Sequence, residues 1–143
     1  MRKYDLIVIG GVAAGTKAAA KARRERPGWT IALITADKDV SYAGCGLPYL
    51  IGGVVKDRGQ LVARTPELLK RNHGIDVMTR HEALSIDRAG HSVLVRDLGT
   101  GEEFRLEYNR LFLATGRRPS GRQSRGLIQN ACTRCAPWLT RTL

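Results

Sequence analysis

The stretch that decides the fold is Tyr4-Asp5-Leu6-Ile7-Val8-Ile9-Gly10-Gly11-Val12-Ala13-Ala14-Gly15. Residues 4–9 are mostly branched apolar residues, a pattern typical of a buried parallel strand. The glycines end this strand, and the alanine-rich residues 13–24 favour a helix. Residues 30–35 are a second apolar run. Strand, glycine turn, helix and strand in this order predict a βαβ unit.

The rest of the first 116 residues alternates loops with short elements. We predict a short helix around residues 47–51 and a second one that begins at Thr65-Pro66-Glu67 and ends at Gly74. We predict strands at residues 75–79, 82–87, 92–97 and 103–108, the last two forming an antiparallel hairpin. A separate buried strand is predicted at residues 110–116, ending in a glycine turn. The predicted fold class is therefore α/β, a Rossmann-like parallel sheet with a small antiparallel β-hairpin.

The composition is that of a soluble globular protein, with 43% hydrophobic and 26% charged residues. The sequence has no apolar run of about 18 residues, so no membrane-spanning helix and no membrane partner are predicted. The net charge is +11, but six of these charges are arginines after residue 116, where there is no acid. Nucleic-acid binding is therefore not predicted from charge alone. The first 116 residues contain one cysteine, which excludes a disulfide framework there. This cysteine usage predicts a protein of the reducing cytoplasm.

The last part of the chain differs in composition from the rest. We predict an incomplete domain over residues 1–119 and an atypical basic tail over residues 120–143, expected to be disordered or out of register. Either a truncation or reading-frame change or a genuine short extension explains this tail. Cys132 and Cys135 have C-x-x-C spacing but lack a second pair or a nearby histidine, and no metal site is predicted anywhere in the chain.

Residues 10–15 follow a strand and open a helix, the context in which a glycine-rich turn binds a pyrophosphate through backbone N–H groups. Val12 occupies the position of the second glycine in G-x-G-x-x-G, so a simple tight strand–helix turn remains an alternative. Thr35 stands where a ribose-binding acid is expected. Its hydroxyl or the carboxylate of Asp37 could take that place, with Lys38 as a further candidate.

Two other features carry chemistry. The first is Ser41-Tyr42-Ala43-Gly44-Cys45-Gly46-Leu47-Pro48-Tyr49, in which glycines and a following helix start favour a reactive thiolate at Cys45; a buried structural cysteine is the alternative. The second is the set Lys17, Lys21 and Arg24, which share one helix face at i, i+4 and i+7. That face suits phosphates, or it is simply a solvated basic surface.

Together with Leu113-Ala114-Thr115-Gly116, these motifs resemble the FAD-binding N-terminus of the pyridine nucleotide–disulfide oxidoreductases. The resemblance covers residues 3–119. The two-cysteine members carry C-x-x-x-x-C, whereas Leu50 stands at the second cysteine position here. The chain therefore resembles the single-cysteine branch, which contains coenzyme A-disulfide reductase and NADH oxidase or peroxidase. A single redox cysteine cycles through a mixed disulfide or a sulfenic acid.

The resemblance implies an FAD-dependent oxidoreductase in which NAD(P)H reduces coenzyme A disulfide, or oxygen or peroxide, through FAD and catalytic Cys45. The implied FAD-binding residues are Gly10, Gly11, Val12, Ala13, Ala14, Gly15, Thr35, Asp37, Lys38, Ala114, Thr115 and Gly116. The implied coenzyme A contacts are Lys17, Lys21, Arg24 and Ser41. Family members are homodimers with NAD(P)H-binding and dimerisation domains that these 143 residues lack. We expect the chain to be inactive alone; the alternative is a non-catalytic nucleotide-binding remnant or interaction fragment.

Overall fold

The computed structural model describes residues 2–116, which form one six-stranded sheet flanked by helices. The strands are β1 (Arg2–Ile9), β2 (Ile31–Thr35), β3 (Ile75–Thr79), β4 (His81–Asp87), β5 (Ser92–Asp97) and β6 (Glu103–Leu113). The helices are α1 (Ala13–Glu25), α2 (Leu47–Ile51) and α3 (Pro66–His73). The predicted α/β class is confirmed. The predicted tail, including Cys132 and Cys135, lies outside the described residues.

The strands lie in the order β3-β2-β1-β6-β5-β4, and the first four of them are parallel. β1 pairs in parallel with β2 on one side, with Val8 opposite Leu33, and with β6 on the other, with Val8 opposite Phe112. All five residues of β2 are buried. Strands buried on both faces are expected to be continuous apolar runs, and this explains why residues 4–9 and 30–35 could be recognised as parallel strands.

The two faces of the parallel sheet are covered differently. One face packs against α1 and α3, and its buried cluster is Leu6, Val8, Ala19, Ile31, Leu33, Val40, Leu69 and Ile75. The other face packs against the antiparallel strands, and its cluster is Tyr4, Ile7, Ile9, Ala32, Ile34, Val93, Val95, Leu106 and Tyr108. The burial of both faces leaves the edge where the parallel strands end as the place where loops can form a site.

The predicted division of residues 103–116 into a hairpin strand and a separate buried strand is wrong. β6 runs without interruption from Glu103 to Leu113. Its first half pairs antiparallel with β5, and its second half pairs in parallel with β1, so one strand joins both parts of the sheet. It is also less buried than predicted, because the side chains of Phe112 and Leu113 are 41% and 57% exposed. The predicted hairpin is confirmed but gains β4 as a third antiparallel strand.

The ends of α3 follow the predicted signals. The Thr65 hydroxyl accepts a hydrogen bond from the Leu68 N–H at 3.3 Å, and Gly74 adopts the left-handed conformation (φ +57°) that ends the helix. The Arg23 guanidinium donates to the carbonyl oxygens of Pro27 at 2.7 Å and Gly74 at 2.6 Å, which ties α1 to the end of α3. No helix within residues 2–116 is long and apolar enough to cross a membrane.

We predict that Leu33→Ala lowers the free energy of unfolding by about 3 kcal/mol, because this fully buried side chain leaves a cavity between β2 and the helices. Val54→Ala is the control, since that side chain is 73% exposed and its loss should change stability by less than about 0.5 kcal/mol. Urea unfolding monitored by circular dichroism measures both. Equal effects of the two substitutions would contradict the packing described.

Candidate functional site

The glycine turn after β1 lies where three backbone segments come close together. Gly10 has a φ of +115°, and its N–H donates to the Ile34 carbonyl oxygen at 2.8 Å. A Cβ added to Gly10 would lie 2.1 Å from the Ala114 carbonyl oxygen. The Ala114 N–H in turn donates to the Ile9 carbonyl oxygen at 2.7 Å. Both the left-handed backbone and the contact with the end of β6 therefore require glycine at position 10.

The other two glycines of the turn are required by different neighbours. A Cβ added to Gly15 would lie 1.8 Å from the Gly10 carbonyl oxygen, and one added to Gly11 would lie 2.8 Å from the Thr35 Cβ. Val12 is half-buried and precedes the first residue of α1, so it fits although it replaces a motif glycine. The turn thus brings the start of α1 against the ends of β1 and β2.

The N-terminus of α1 suits an anion. Its preceding residue Val12 makes no side-chain cap, and the first turn of the helix contains no acid. The N–H groups at Ala13 and Ala14, both exposed, therefore lie at the positive end of the helix dipole without a carboxylate beside them. Thr16, one turn later, is buried and donates its hydroxyl proton back to the Val12 carbonyl oxygen. This arrangement fits the phosphate-binding role predicted for residues 10–15.

The predicted ribose-side residues fall into two groups. Thr35 is buried, packs against Gly11 and accepts a weak hydrogen bond from the Asp37 N–H at 3.4 Å, so it supports the turn. Asp37 is half-buried and Lys38 is exposed, so these two lie nearer the surface. Arg80 was not identified from the sequence; its backbone N–H donates to the Asp37 carbonyl oxygen at 3.1 Å. Its position directly after β3, next to the end of β2, was the signal available.

The Cys45 loop is attached to the glycine turn. The Ser41 N–H donates to the Gly11 carbonyl oxygen at 2.7 Å, and Ser41 has a φ of +56°. Cys45 is free and exposed. It lies inside a 3-10 turn, Gly44–Gly46, which leads into α2. The predicted short helix at residues 47–51 is confirmed as α2, but because it has only five residues, its dipole stabilises a thiolate at Cys45 little.

A second segment, residues 57–63, holds the Cys45 loop from the other side and was not identified from the sequence. The Leu61 carbonyl oxygen accepts from the Ala43 N–H at 2.7 Å, and the Ala63 N–H donates to the Ser41 carbonyl oxygen at 2.8 Å. Tyr42 and Val62 form an isolated antiparallel bridge. Burial and the nearby Asp37 carboxylate raise the pKa of the Tyr42 hydroxyl. The loop is thus held between the glycine turn and this segment.

The predicted basic face lies on the exposed side of α1. Lys17, Lys21 and Arg24 are all exposed. Lys21 forms an ion pair with Glu25, which offsets part of its charge and lowers the pKa of the Glu25 carboxyl. The described residues end at Thr115 and Gly116, which are both exposed and follow Ala114 at the same sheet edge. No group of three or more His, Cys, Asp or Glu side chains within residues 2–116 could hold a metal ion.

Comparison with known proteins confirms the resemblance. Residues 4–137 match the pyridine nucleotide-disulphide oxidoreductase family. The coenzyme A disulfide reductase of Staphylococcus haemolyticus (strain JCSC1435) is 38% identical over 116 residues, which cover 81% of this chain and 26% of that protein. The chain therefore spans about a quarter of the length of this curated relative.

Three solved structures share the fold. Reduced CoADR-RHD of Bacillus anthracis aligns with a TM-score of 0.81 and 29% identity over 89% of this chain and 23% of that one. The NAD-dependent persulfide reductase from A. fulgidus aligns with a TM-score of 0.79 and 39% identity over 85% and 23% of the two chains. The water-forming NADH oxidase from Lactobacillus brevis has a TM-score of 0.77 and 28% identity over 89% and 28%.

We predict that Gly15→Ala lowers the free energy of unfolding by about 2 kcal/mol, because the new methyl group overlaps the Gly10 carbonyl oxygen and α1 must move away from β1. Gly28→Ala is the matched control, because nothing lies within 4 Å of a Cβ added there. Thermal and urea unfolding of both variants give the comparison. If Gly15→Ala is as stable as Gly28→Ala, the close contact in the turn is wrong.

Proposed function

Because the chain belongs to the pyridine nucleotide-disulphide oxidoreductase family, we propose that residues 2–116 are the flavin-binding part of an FAD-dependent reductase whose redox thiol is Cys45. The observation that carries this proposal is the 2.7 Å hydrogen bond from Ser41 to Gly11, which attaches the cysteine loop to the glycine turn. One fixed unit thus contains a phosphate-binding helix start and an exposed thiol. This combination is what a flavin-linked thiol requires.

The residues present fit FAD. The pyrophosphate would lie against residues 10–15, where a Cβ at Gly10 or Gly15 would overlap backbone atoms and no acid repels an anion. Asp37 and Lys38 lie on the ribose side, and Thr35 supports Gly11 from below. Ala114, Thr115 and Gly116 would line the flavin side at the end of β6. Bound FAD would supply two-electron transfer between NAD(P)H and the sulfur of Cys45.

Cys45 would act as a nucleophile on a disulfide. Its thiolate sulfur attacks one sulfur of coenzyme A disulfide, so that a Cys45–coenzyme A disulfide bond forms and the original S–S bond breaks. One coenzyme A leaves as a thiolate and takes up a proton. An electron pair from NAD(P)H then restores the Cys45 thiolate and releases the second coenzyme A. Because Leu50 stands at the position of the family's second cysteine, the mixed disulfide cannot be resolved by an internal disulfide there.

Coenzyme A would be bound by the basic face of α1. Lys17, Lys21 and Arg24 are exposed and suit phosphate groups, and the Ser41 side chain lies on the loop that carries Cys45. The ion pair of Lys21 with Glu25 leaves Lys17 and Arg24 as the stronger contributors.

Reduction of oxygen or peroxide through a Cys45 sulfenic acid is the second candidate, favoured by the similarity to a water-forming NADH oxidase. A free thiol suits the reducing cytoplasm.

The complete cycle belongs to a longer assembly than residues 2–116. The described residues contain one glycine turn of the nucleotide-binding kind, which we assign to FAD, and the curated relative is about four times longer than the matched part. We therefore propose that the 143-residue chain binds FAD and reacts through Cys45 but does not turn over NAD(P)H by itself. The alternative is a nucleotide-binding remnant that holds no flavin, and the flavin content of the purified chain distinguishes the two.

We predict that the purified chain retains FAD and that Gly10→Val abolishes this retention, because a branched side chain cannot adopt φ +115° beside the Ala114 carbonyl. Gly28→Val changes an open surface position and should keep its flavin. The absorbance spectrum and the FAD-to-protein ratio after gel filtration measure both. A colourless wild-type chain would favour the remnant, and flavin retained in Gly10→Val would refute the assigned turn.

We predict that coenzyme A disulfide leaves a coenzyme A adduct on Cys45 in preference to Cys132 and Cys135. Arg24→Glu should slow this reaction several-fold, because coenzyme A phosphates meet a carboxylate in place of a guanidinium. Arg88→Glu makes the same change of charge on the turn between β4 and β5, at the far edge of the sheet, and should leave the rate unchanged. Intact-mass measurement detects the adduct, and peptide mapping identifies the cysteine that carries it. Equal labelling of the three cysteines would show an ordinary exposed thiol.

A further inference from the structure

We propose that Leu61 is a positioning residue for Cys45, acting through Gly46; this rests on the proposed role of Cys45 as the redox thiol. Leu61 is buried at 6% exposure in a 3-10 turn, Arg58–Leu61, that no motif in the sequence singled out. A Cβ added to Gly46 would lie 2.5 Å from Cδ2 of Leu61. The side chain of Leu61 therefore lies directly beneath the turn that carries Cys45.

Backbone contacts hold Leu61 against the same turn. The Ala43 N–H donates to the Leu61 carbonyl oxygen at 2.7 Å, and the Gly46 N–H donates to the Ala43 carbonyl oxygen at 2.9 Å. These two bonds connect Leu61 to both sides of Cys45. The side chain below and the carbonyl beside it together restrict how the Gly44–Gly46 turn can move.

The segment that carries Leu61 is itself anchored. The Asp57 carboxylate accepts from the Gly59 N–H at 2.9 Å, which caps the 3-10 turn. Arg58 forms an ion pair with Asp39, in the loop after β2. The segment is thus fixed to the same sheet edge as the glycine turn, so it can hold the cysteine loop in one position relative to that turn.

Position 46 needs glycine because of Leu61 and not because of its own backbone. Gly46 has φ −82° and ψ −13°, an ordinary right-handed conformation that alanine adopts without strain. A methyl group there would come too close only to the Leu61 side chain, so the Leu61 side chain or the turn must shift to accept it. Substitutions at the two positions should therefore be coupled, and a positioning role requires that this coupling is seen in the reaction rate of Cys45 and not only in stability.

The test uses the full 143-residue chain with Cys132→Ser and Cys135→Ser, so that Cys45 is its single thiol. The rate at which Cys45 reacts with dithionitrobenzoate is measured for the wild-type background, Gly46→Ala, Leu61→Ala and the double variant. Because Cys45 is exposed and the reagent diffuses freely, the rate reports how the Gly44–Gly46 turn presents the sulfur, so displacement of the turn should change the rate of each single variant roughly three- to tenfold. The double variant should return part of the way to the wild-type rate, because the added methyl then has room.

Leu69→Ala is the matched control, since it removes an equally large, fully buried leucine from α3 on the helix-covered face. It should lower the stability at least as much as Leu61→Ala and leave the Cys45 rate unchanged. Additive changes in the double variant, or an equal change of the Cys45 rate in Leu69→Ala, would overturn the proposal. Should Gly46→Ala fail to fold, the comparison of Leu61→Ala with Leu69→Ala still decides it.

Because dithionitrobenzoate is not a substrate mimic, this test is independent of the electron acceptor. A wild-type chain that reacts no faster with coenzyme A disulfide than with glutathione disulfide would count against the proposed substrate. The coupling between positions 46 and 61 would then still be read from the dithionitrobenzoate rates. The two proposals can therefore fail separately.

Discussion

The close approach of backbone at Gly10 is the constraint on which the rest of the site depends. The Gly10 carbonyl contacts Gly15 at the start of α1, and the Gly10 Cα faces the Ala114 carbonyl. The Gly10 N–H donates a hydrogen bond to the Ile34 carbonyl oxygen. Three elements that are distant in the chain, the ends of β2 and β6 and the start of α1, meet there without an intervening side chain. A Cβ at this point would separate all of them and open the edge that we propose for phosphate binding.

The position of the cysteine loop depends on that turn. The Ser41 N–H donates a hydrogen bond to the Gly11 carbonyl oxygen, so the loop begins at a fixed point, and residues 57–63 hold it on the opposite side. A thiol carried on a loop of small residues needs such support, because glycines on both sides of Cys45 give the chain little stiffness of its own. The tertiary contacts replace the stiffness that the local sequence lacks.

Strand β6 has two structural roles in the sheet. The first half of β6 covers a core face together with β5, and its second half extends the parallel sheet beside β1 and ends at the site. The exposed Phe112 and Leu113 lie in this second half, where β6 no longer has β5 beside it. The same strand therefore links the folding of the antiparallel part to the position of Ala114 at the glycine turn.

The sequence by itself determined the βαβ unit, the glycine turn, the cap of α3 and the identity of Cys45 as the candidate thiol. These features depend on local rules, namely apolar runs, glycine conformations and short-range capping, which neighbouring residues specify. The continuity of β6, the contact of Arg80 with Asp37 and the support of Cys45 by Leu61 were decided only by the tertiary structure. Each joins residues far apart in the chain, and Leu61 looks like any apolar residue until the fold brings it beneath Gly46.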